Sequence, residues 1–534
     1  MNPGPSTSLA PLETDRSKLL ERLADTGQVD LLIIGGGATG LGVALDASLR
    51  GLSVVLLEAR DFAKGTSSRA TKLVHGGVRY LAQGNVSLVR EALYERSKLL
   101  HNASHLAAPL AFVLPAYKAW ELPFYGMGLR VYDALAGRAK LGHTQMLSPT
   151  ATLRELPGVQ PRGLKGGIMY WDGQFDDARL AIAIARSAAG QGALLLNHCP
   201  VTSLIHENGR VAGARYHAVG VQGEGQIRAR CVVNATGVWV DDIRQMDAAS
   251  NASQLRPMVT PSQGVHLVVD RDFLPSEHAL LVPRTRDKRV LFAVPWLGKV
   301  ILGTTDTPRD VVEIEPRPLA EEVQFILSES AQYLARAPMA GDVRSVWVGL
   351  RPLVRPAHET GKTRAINREH TIAISDGGLV TVTGGKWTTY RAMAEDVLAQ
   401  CANSGLLERL PPCETADFLL AGAPSGGVSG NLLIQPPGWH SYGIEADWVR
   451  QIPGAERELA PGLTEAMVRF AARHEYACVV EDALARRSRL LFLDAALAAS
   501  VAPEVARIIQ EETGADPQLD EFLALARLYT TLPA

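Results

Sequence analysis

The chain has 534 residues, 46% hydrophobic and 21% charged, a globular composition that excludes a mostly disordered polypeptide. Lys plus Arg number 54 against 56 Asp plus Glu, a formal net charge of -2, so the chain lacks the basic excess that a nucleic-acid partner demands. Its 5 cysteines include no C-x-x-C pair, which excludes a zinc ribbon and a disulfide framework and fits a reducing compartment.

Residues 1–28 are rich in Pro, Ser and Thr and then charged, without the apolar stretch of a secretory signal; they read as a disordered tail. Val29–Ile34 is an apolar run that enters GGGATG directly. Leu41–Arg50 reads as a helix and Leu52–Glu58 as a second strand, completing a strand–glycine turn–helix–strand unit. Gly35, Gly37 and Gly40 form G-x-G-x-x-G. In such a turn the first glycine permits the bend, the second lets the backbone approach a pyrophosphate, and the third lets the helix pack on the sheet. Glu58, at the end of the second strand, is placed to accept hydrogen bonds from ribose hydroxyls. The spacing predicts a dinucleotide site and leaves NAD and FAD both open.

Further along, Val86–Ala107 and Ala178–Ala189 carry helical periodicity. Lys118–Lys140 mixes Trp120, Phe124, Tyr125, Met127 and Tyr132 with Lys118, Arg130, Arg138 and Lys140, a pattern suited either to a helix in a membrane interface or to a core helix. Short β-like runs follow at Cys231–Asn234, Val265–Val269, Val290–Val294, Val300–Gly303, Val343–Val348 and Leu379–Thr383; their alternation predicts an antiparallel sheet with one wet face. Two runs end in small-residue turns, at Ala235–Gly237 and at Gly384-Gly385. The second opens a helix, and a helix N-terminus there would stabilise negative charge on a reduced flavin ring, which favours FAD over NAD. Residues 421–438 read as a linker and 439–534 as a helical C-terminal domain, after a core over 29–420 whose FAD-binding parts span about 29–105, 150–255 and 370–400, with the substrate domain interleaved. No apolar run approaches the ~18 residues of a membrane-spanning helix. No histidine pair or Cys/His group has metal-ligand spacing, so no metal is expected.

An FAD oxidoreductase with an anion pocket would need a cationic anchor for that anion and an acceptor for a proton. Arg351, ahead of Pro352 at the end of a β run, Arg79, after Gly76-Gly77, and Lys386, after Gly384-Gly385, are the candidate cations. His266 in QGVHLVV is a candidate general base; Arg351 would serve the same end by lowering the pKa of the group that loses the proton, and the two readings stand side by side. Ser67, Ser68 and Lys72 are candidate donors to FAD oxygens, and His75 with Gly76 is placed against the flavin.

The segments GTSSRATKLVHGGVRY (Gly65–Tyr80), PSQGVHLVV (Pro261–Val269), LGTTD (Leu302–Asp306), GLRPL (Gly349–Leu353) and GGKWTTYR (Gly384–Arg391) together resemble the FAD-dependent glycerol-3-phosphate dehydrogenases, with a weaker match in LARRSRLLFLD (Leu484–Asp494). The resemblance implies a doubly wound α/β FAD domain, an antiparallel substrate domain and a helical C-terminal cap. It further implies oxidation of sn-glycerol 3-phosphate to dihydroxyacetone phosphate, with electrons passed to a membrane quinone by a cytoplasmic protein attached peripherally to the inner face of the membrane. A homodimer is compatible with it. Arg79, Tyr80, Arg351 and Lys386 would line the substrate site, with Arg351, His266 and Lys386 catalytic. An oxygen-using glycerol-3-phosphate oxidase, or another flavin oxidase of the same fold, is the alternative.

Overall fold

The computed structural model describes residues 12, 14–81, 85–220, 222–248, 255–285, 289–355 and 370–533. Residues 16–25 are not a disordered tail: they form helix α1 (Arg16–Asp25), capped by the Asp15 side chain, which accepts from Lys18 N–H at 3.0 Å, and anchored by buried Leu19 and Leu23.

Strand β1 (Gln28–Ile34) has Leu31, Leu32 and Ile33 wholly buried. A strand with no polar face belongs in the middle of a parallel sheet. Leu31 faces Val54 of β2 (Val54–Leu57) on one side and Cys231 of the strand Gly225–Asn234 on the other, both parallel. The sheet runs from His370–Ile374 through Val380–Gly384, Gly225–Asn234, β1 and β2 to Leu194–Leu196. Helix α2 (Ala38–Leu49) links β1 to β2 and packs on the helices Asp177–Gly190 and Tyr390–Asn403. It starts three residues earlier than Leu41, so three residues of the glycine motif, Ala38, Thr39 and Gly40, lie inside its first turn.

A second, ten-stranded sheet is antiparallel except where Ala279–Val282 meets Ala107–Ala116. Its faces alternate with period two: Val265, Leu267 and Val269 pack under the helix Ala320–Tyr333, while Val268 and Trp347 face the C-terminal region. The expectation of one wet face is therefore corrected. Both faces are covered, because Phe470, Leu491, Phe492 and Phe522 dock on the second one. That C-terminal region comprises the helices Glu465–His474, Ala495–Thr513 and Leu519–Thr530, the short hairpin Glu458–Ala460/Leu463–Thr464 and a π-helical turn Asp482–Arg487. The segment 421–438 is packed rather than loose: Ala421 and Ala423 are buried, and the Leu433 carbonyl accepts from Leu297 N–H at 2.6 Å.

The two sheets meet where the strand Ser345–Val354 lies against the strand Val380–Gly384 and the turn Gly237–Trp239. This contact places Arg351 of one sheet beside the glycine turns of the other.

Candidate active site

The C-terminal ends of β1, β2, Gly225–Asn234 and Val380–Gly384 open on one cleft of about 400 Å³, where a doubly wound sheet binds its ligand. The glycines that shape it have steric reasons. A Cβ on Gly35, whose φ is 109°, would stand 2.7 Å from the Ala235 carbonyl oxygen, and one on Gly40 would stand 2.0 Å from that of Gly35. Gly37 caps α2, and Ser67 Oγ accepts from the Ala38 N–H at 2.9 Å. The Glu58 carboxylate is clasped by the Gly36 N–H at 2.6 Å and the Arg60 N–H at 2.8 Å. Burial pushes its carboxyl above the ordinary range, and the two amides oppose that shift.

A Cβ at Gly237 would meet nothing within 4 Å, so the backbone here is bare toward open space. Ala235, Gly384 and Gly385 complete this wall, the last two with φ of 82° and 70°. Beyond them Lys386 caps the turn Trp387–Thr389, which runs into the helix Tyr390–Asn403. The Trp387 Nε1–H donates to the Ser67 carbonyl at 2.9 Å and ties the two glycine-flanked loops together. The cleft thus offers a pyrophosphate-sized backbone cradle at α2, an acid at the end of β2 and a second strand-to-helix junction, a donor set that fits FAD.

A second pocket of about 240 Å³ adjoins the first, with Thr66, Pro352, Gly384, Gly385, Lys386 and Trp387 in both walls. Its far wall holds His75, His266 and Arg351. Both Nη atoms of Arg351 donate to the Thr305 carbonyl at 3.1 Å, Nη1 also meets Asp306 Oδ1 at 3.2 Å, and Nη2 donates to Thr304 Oγ1 at 3.3 Å. The fork is fixed in place, and Gly264 leaves room for it, since a Cβ there would stand 2.4 Å from Arg351 Nη2. His266 is buried with its Nε2 3.0 Å from Thr71 Oγ1. Burial first, then the charges of Arg351 and Lys72, hold its imidazole well below the usual range, so it is neutral at pH 7.

Three of the residues expected at the cofactor are elsewhere. Lys72 is wholly buried, donating to Asp177 Oδ1 and Oδ2 at 2.9 and 2.7 Å and to the Ser68 carbonyl at 2.7 Å; a buried ammonium needs such partners, and these take all its donors. Ser68 is buried with it, its carbonyl accepting also from Arg489. Gly76 answers to packing: its N–H donates to Tyr132 Oη at 2.9 Å, and a Cβ would come within 2.4 Å of that oxygen. The backbone of Arg79 and Tyr80 belongs to the short helix Val78–Leu81, and their side chains lie outside the described residues.

Sequence reasoning missed Arg69, Thr71, Trp239 and Trp387, all lining one pocket or the other. Arg69 is pinned by Glu315 at 2.7 Å and by the Val348 carbonyl at 3.3 Å. Three of the four sit inside the GTSSRATKLVHGGVRY and GGKWTTYR segments; an aromatic just after a glycine pair was the available signal for Trp387, and a cation in the same segment for Arg69, while Thr71 carried none. One group not seen in the spacing, His198, Cys478 and Asp482, gathers its ligand atoms within 4.8 Å. Asp482 already accepts from His198, the Cys478 N–H and Arg486, so an ion pair accounts for it.

Residues 30–391 match the family of FAD dependent oxidoreductases, and 439–519 match the C-terminal domain of alpha-glycerophosphate oxidase. A probable mitochondrial glycerol-3-phosphate dehydrogenase of Caenorhabditis elegans is 40% identical over 93% of this chain and 72% of its own length. The mitochondrial glycerol-3-phosphate dehydrogenase of Homo sapiens is 40% identical over 96% of the chain and 75% of its own. Among solved structures, the glycerol-3-phosphate dehydrogenase of Bacillus halodurans complexed with FAD superimposes with a TM-score of 0.76 at 30% identity, covering 97% of this chain and 98% of that one. The FAD-bound L-alpha-glycerophosphate oxidase of Mycoplasma pneumoniae shares the fold, with a TM-score of 0.55 at 16% identity over 74% of this chain and 99% of its own.

Proposed function

This chain belongs to the FAD-dependent glycerol-3-phosphate dehydrogenases, and from that premise we propose that it oxidises sn-glycerol 3-phosphate in the smaller pocket and hands the electrons to a membrane quinone. The observation that carries the reading is the shared wall. Gly384, Gly385, Lys386 and Trp387 separate a dinucleotide cleft from a pocket whose other side bears Arg351 and His266.

When bound, FAD supplies the two-electron acceptor for the hydride that leaves C2. The remaining work falls to the chain's own side chains. Arg351 and Lys386 supply the positive charge that holds the substrate dianion, Arg351 through a fork already locked by Thr304, Thr305 and Asp306. His266, neutral above its depressed pKa, accepts the C2 hydroxyl proton, and the Arg351 charge makes that hydroxyl easier to deprotonate. Trp387 and Lys386 sit between the compartments and keep water from the transfer path.

A quinone acceptor calls for membrane contact. On the helix Glu121–Ala136, Leu129, Tyr132 and Ala136 are buried, while Phe124, Met127 and Val131, with Trp120 just before them, are 46–68% exposed. Their i, i+4, i+7, i+11 spacing makes one apolar ridge, flanked by exposed Lys118, Arg130 and Arg138. Among the described residues no helix is long and apolar enough to cross a membrane. We place the protein peripherally on the cytoplasmic face through this ridge.

Anaerobic addition of glycerol 3-phosphate to the flavoprotein is expected to bleach the flavin, with rapid recovery of colour on adding a soluble quinone and slow recovery with oxygen. Fast oxygen recovery with stoichiometric peroxide would make the protein an oxidase instead. Failure to bleach would remove the substrate assignment.

A further inference from the structure

Trp347 stands directly opposite His266 across the paired strands Val259–Asp270 and Ser345–Val354. Its indole stacks on the imidazole, centroids 4.1 Å apart and planes within 20°. Phe492 meets the same indole edge-on at 5.4 Å. Phe492 belongs to the C-terminal region, in a short helix Leu490–Leu493 that follows the π-helical turn. That helix is itself fastened to the catalytic side. The Ser345 Oγ–H donates to the Leu491 carbonyl at 3.0 Å, and Arg489 donates to the Ser68 carbonyl at 2.8 Å and to Asp177 Oδ1 at 3.1 Å. Asp177 in turn holds Lys72, whose Nζ lies 4.7 Å from the Trp347 ring centroid. All of these side chains are buried.

We propose that Trp347 and Phe492 are positioning residues for His266, so that the C-terminal domain takes part in catalysis by holding the plane of the active-site imidazole. The proposal rests on the reading that His266 meets the substrate. A histidine with one hydrogen-bonded nitrogen keeps a free rotation about its side-chain bonds unless packing removes it; Thr71 supplies the bond at Nε2, and the indole supplies the plane. Nδ1 is buried without a hydrogen-bond partner among the described residues, so nothing on that edge would restore the ring if the stack were lost. The stack also excludes water. The charged and titratable groups that face His266 are Arg351 from its partner strand and Lys72, with Arg69, His75 and Lys386 lining the same pocket and Arg69 paired to Glu315. The facing charges of Arg351 and Lys72 are positive, and in a dry site they keep the ring neutral. Opening the stack to water weakens both effects and returns the imidazole toward its ordinary pKa.

The test uses the full-length flavoprotein with Trp347→Leu, Trp347→Phe, Phe492→Leu and His266→Gln. Trp347→Leu is expected to lower kcat at least about tenfold, as misplacement of a catalytic group does, with KM for glycerol 3-phosphate and flavin content little changed. Trp347→Phe, which keeps a flat ring, is expected to recover most of kcat. In protein labelled with 13C at the histidine rings, the His266 resonance, identified by its loss in His266→Gln, is expected to titrate at higher pH in Trp347→Leu than in wild type. The acid limb of kcat/KM should move up in pH with it. Phe492→Leu carries the same expectations at smaller amplitude and serves if Trp347→Leu does not accumulate as flavoprotein. An unshifted His266 resonance, or a Trp347→Phe variant as slow as Trp347→Leu, overturns the proposal. The underlying reading fails separately: His266→Gln with wild-type kcat removes it, whereas a slow His266→Gln beside an unaffected Trp347→Leu overturns the stack alone.

Discussion

Arg351 is held as much by neutral acceptors as by charge, since the Thr305 carbonyl takes bonds from both Nη atoms and Asp306 shares the load. Removing its charge while keeping its bulk should therefore spare the fold. Arg351→Met is expected to retain FAD and melting temperature and to lower kcat/KM by about 10²–10³-fold, the range for losing one charge-assisted contact to a dianion. Steady-state kinetics check it, and unchanged efficiency would show that the pocket's cation lies elsewhere. Two buried histidines set a second expectation. Burial foremost, with Arg179 and Arg186, holds His105 down at about 3, and His266 is also depressed. Both are neutral in the native protein below the pH at which an unfolded histidine protonates, about 6.5. The unfolded chain then binds protons the native one refuses, so stability falls as pH drops below ~6.5, by roughly 1.4 kcal/mol per pH unit for each. Urea denaturation at pH 6.5 and 5.5 measures the slope, and His266→Gln should make it shallower; an unchanged slope would show that His266 does not contribute. His198 does not enter that window: Asp482 outweighs its burial and raises it, so its contribution changes only as pH rises above the unfolded value.

At the scale of elements, the nucleotide unit was legible because it is local. β1, its glycine turn, α2 and Glu58 lie within some thirty residues, and every role there follows from a backbone position. The loop after Glu58 was read less well. Ser67, Ser68 and Lys72 lie close together in sequence, yet Ser67 Oγ caps α2 while Lys72 turns inward to Asp177, a residue 105 positions away. No local pattern announces such a partner. The helix Glu121–Ala136 shows the complementary case. Its sequence suited either a core helix or an interfacial one, and the fold gives it one buried face and one exposed apolar face. Replacing Phe124, Met127 and Val131 by Ser is expected to leave stability and activity with a soluble acceptor unchanged, because these side chains touch little of the protein. Co-sedimentation with anionic lipid vesicles should fall at least about tenfold, three exposed apolar side chains being worth several kcal/mol of burial. Undiminished co-sedimentation would assign membrane contact to another surface.

For the molecule as a whole, the decisive feature is the seam between the FAD loop and the C-terminal region. Asp61 accepts from Arg486 and from Arg487, and Lys64 pairs with Glu315 at 2.9 Å and with Glu481, all within a few residues of Glu58 and Ser67. Asp61→Asn would take from buried Arg487 its carboxylate partner, while Arg486 keeps Glu481 and Asp482, a loss of about 3–5 kcal/mol. Because the same loop lines the larger cleft, flavin release and loss of helix signal in urea should coincide and shift together to lower denaturant. Separate transitions would show the two regions to be energetically independent. The amino-acid order alone carried the dinucleotide unit and the strand-to-helix junction at Gly384-Gly385, which depend on backbone conformation within short windows, while the family resemblance pointed to Arg351, Lys386 and His266 as candidate pocket residues. Only the tertiary structure decided that Lys72 is a buried ion-pair partner, that the antiparallel sheet is covered on both faces, and that Phe492 reaches Trp347 behind His266. Those facts join residues 105, 145 or more positions apart, and burial, not local pattern, selects such partners.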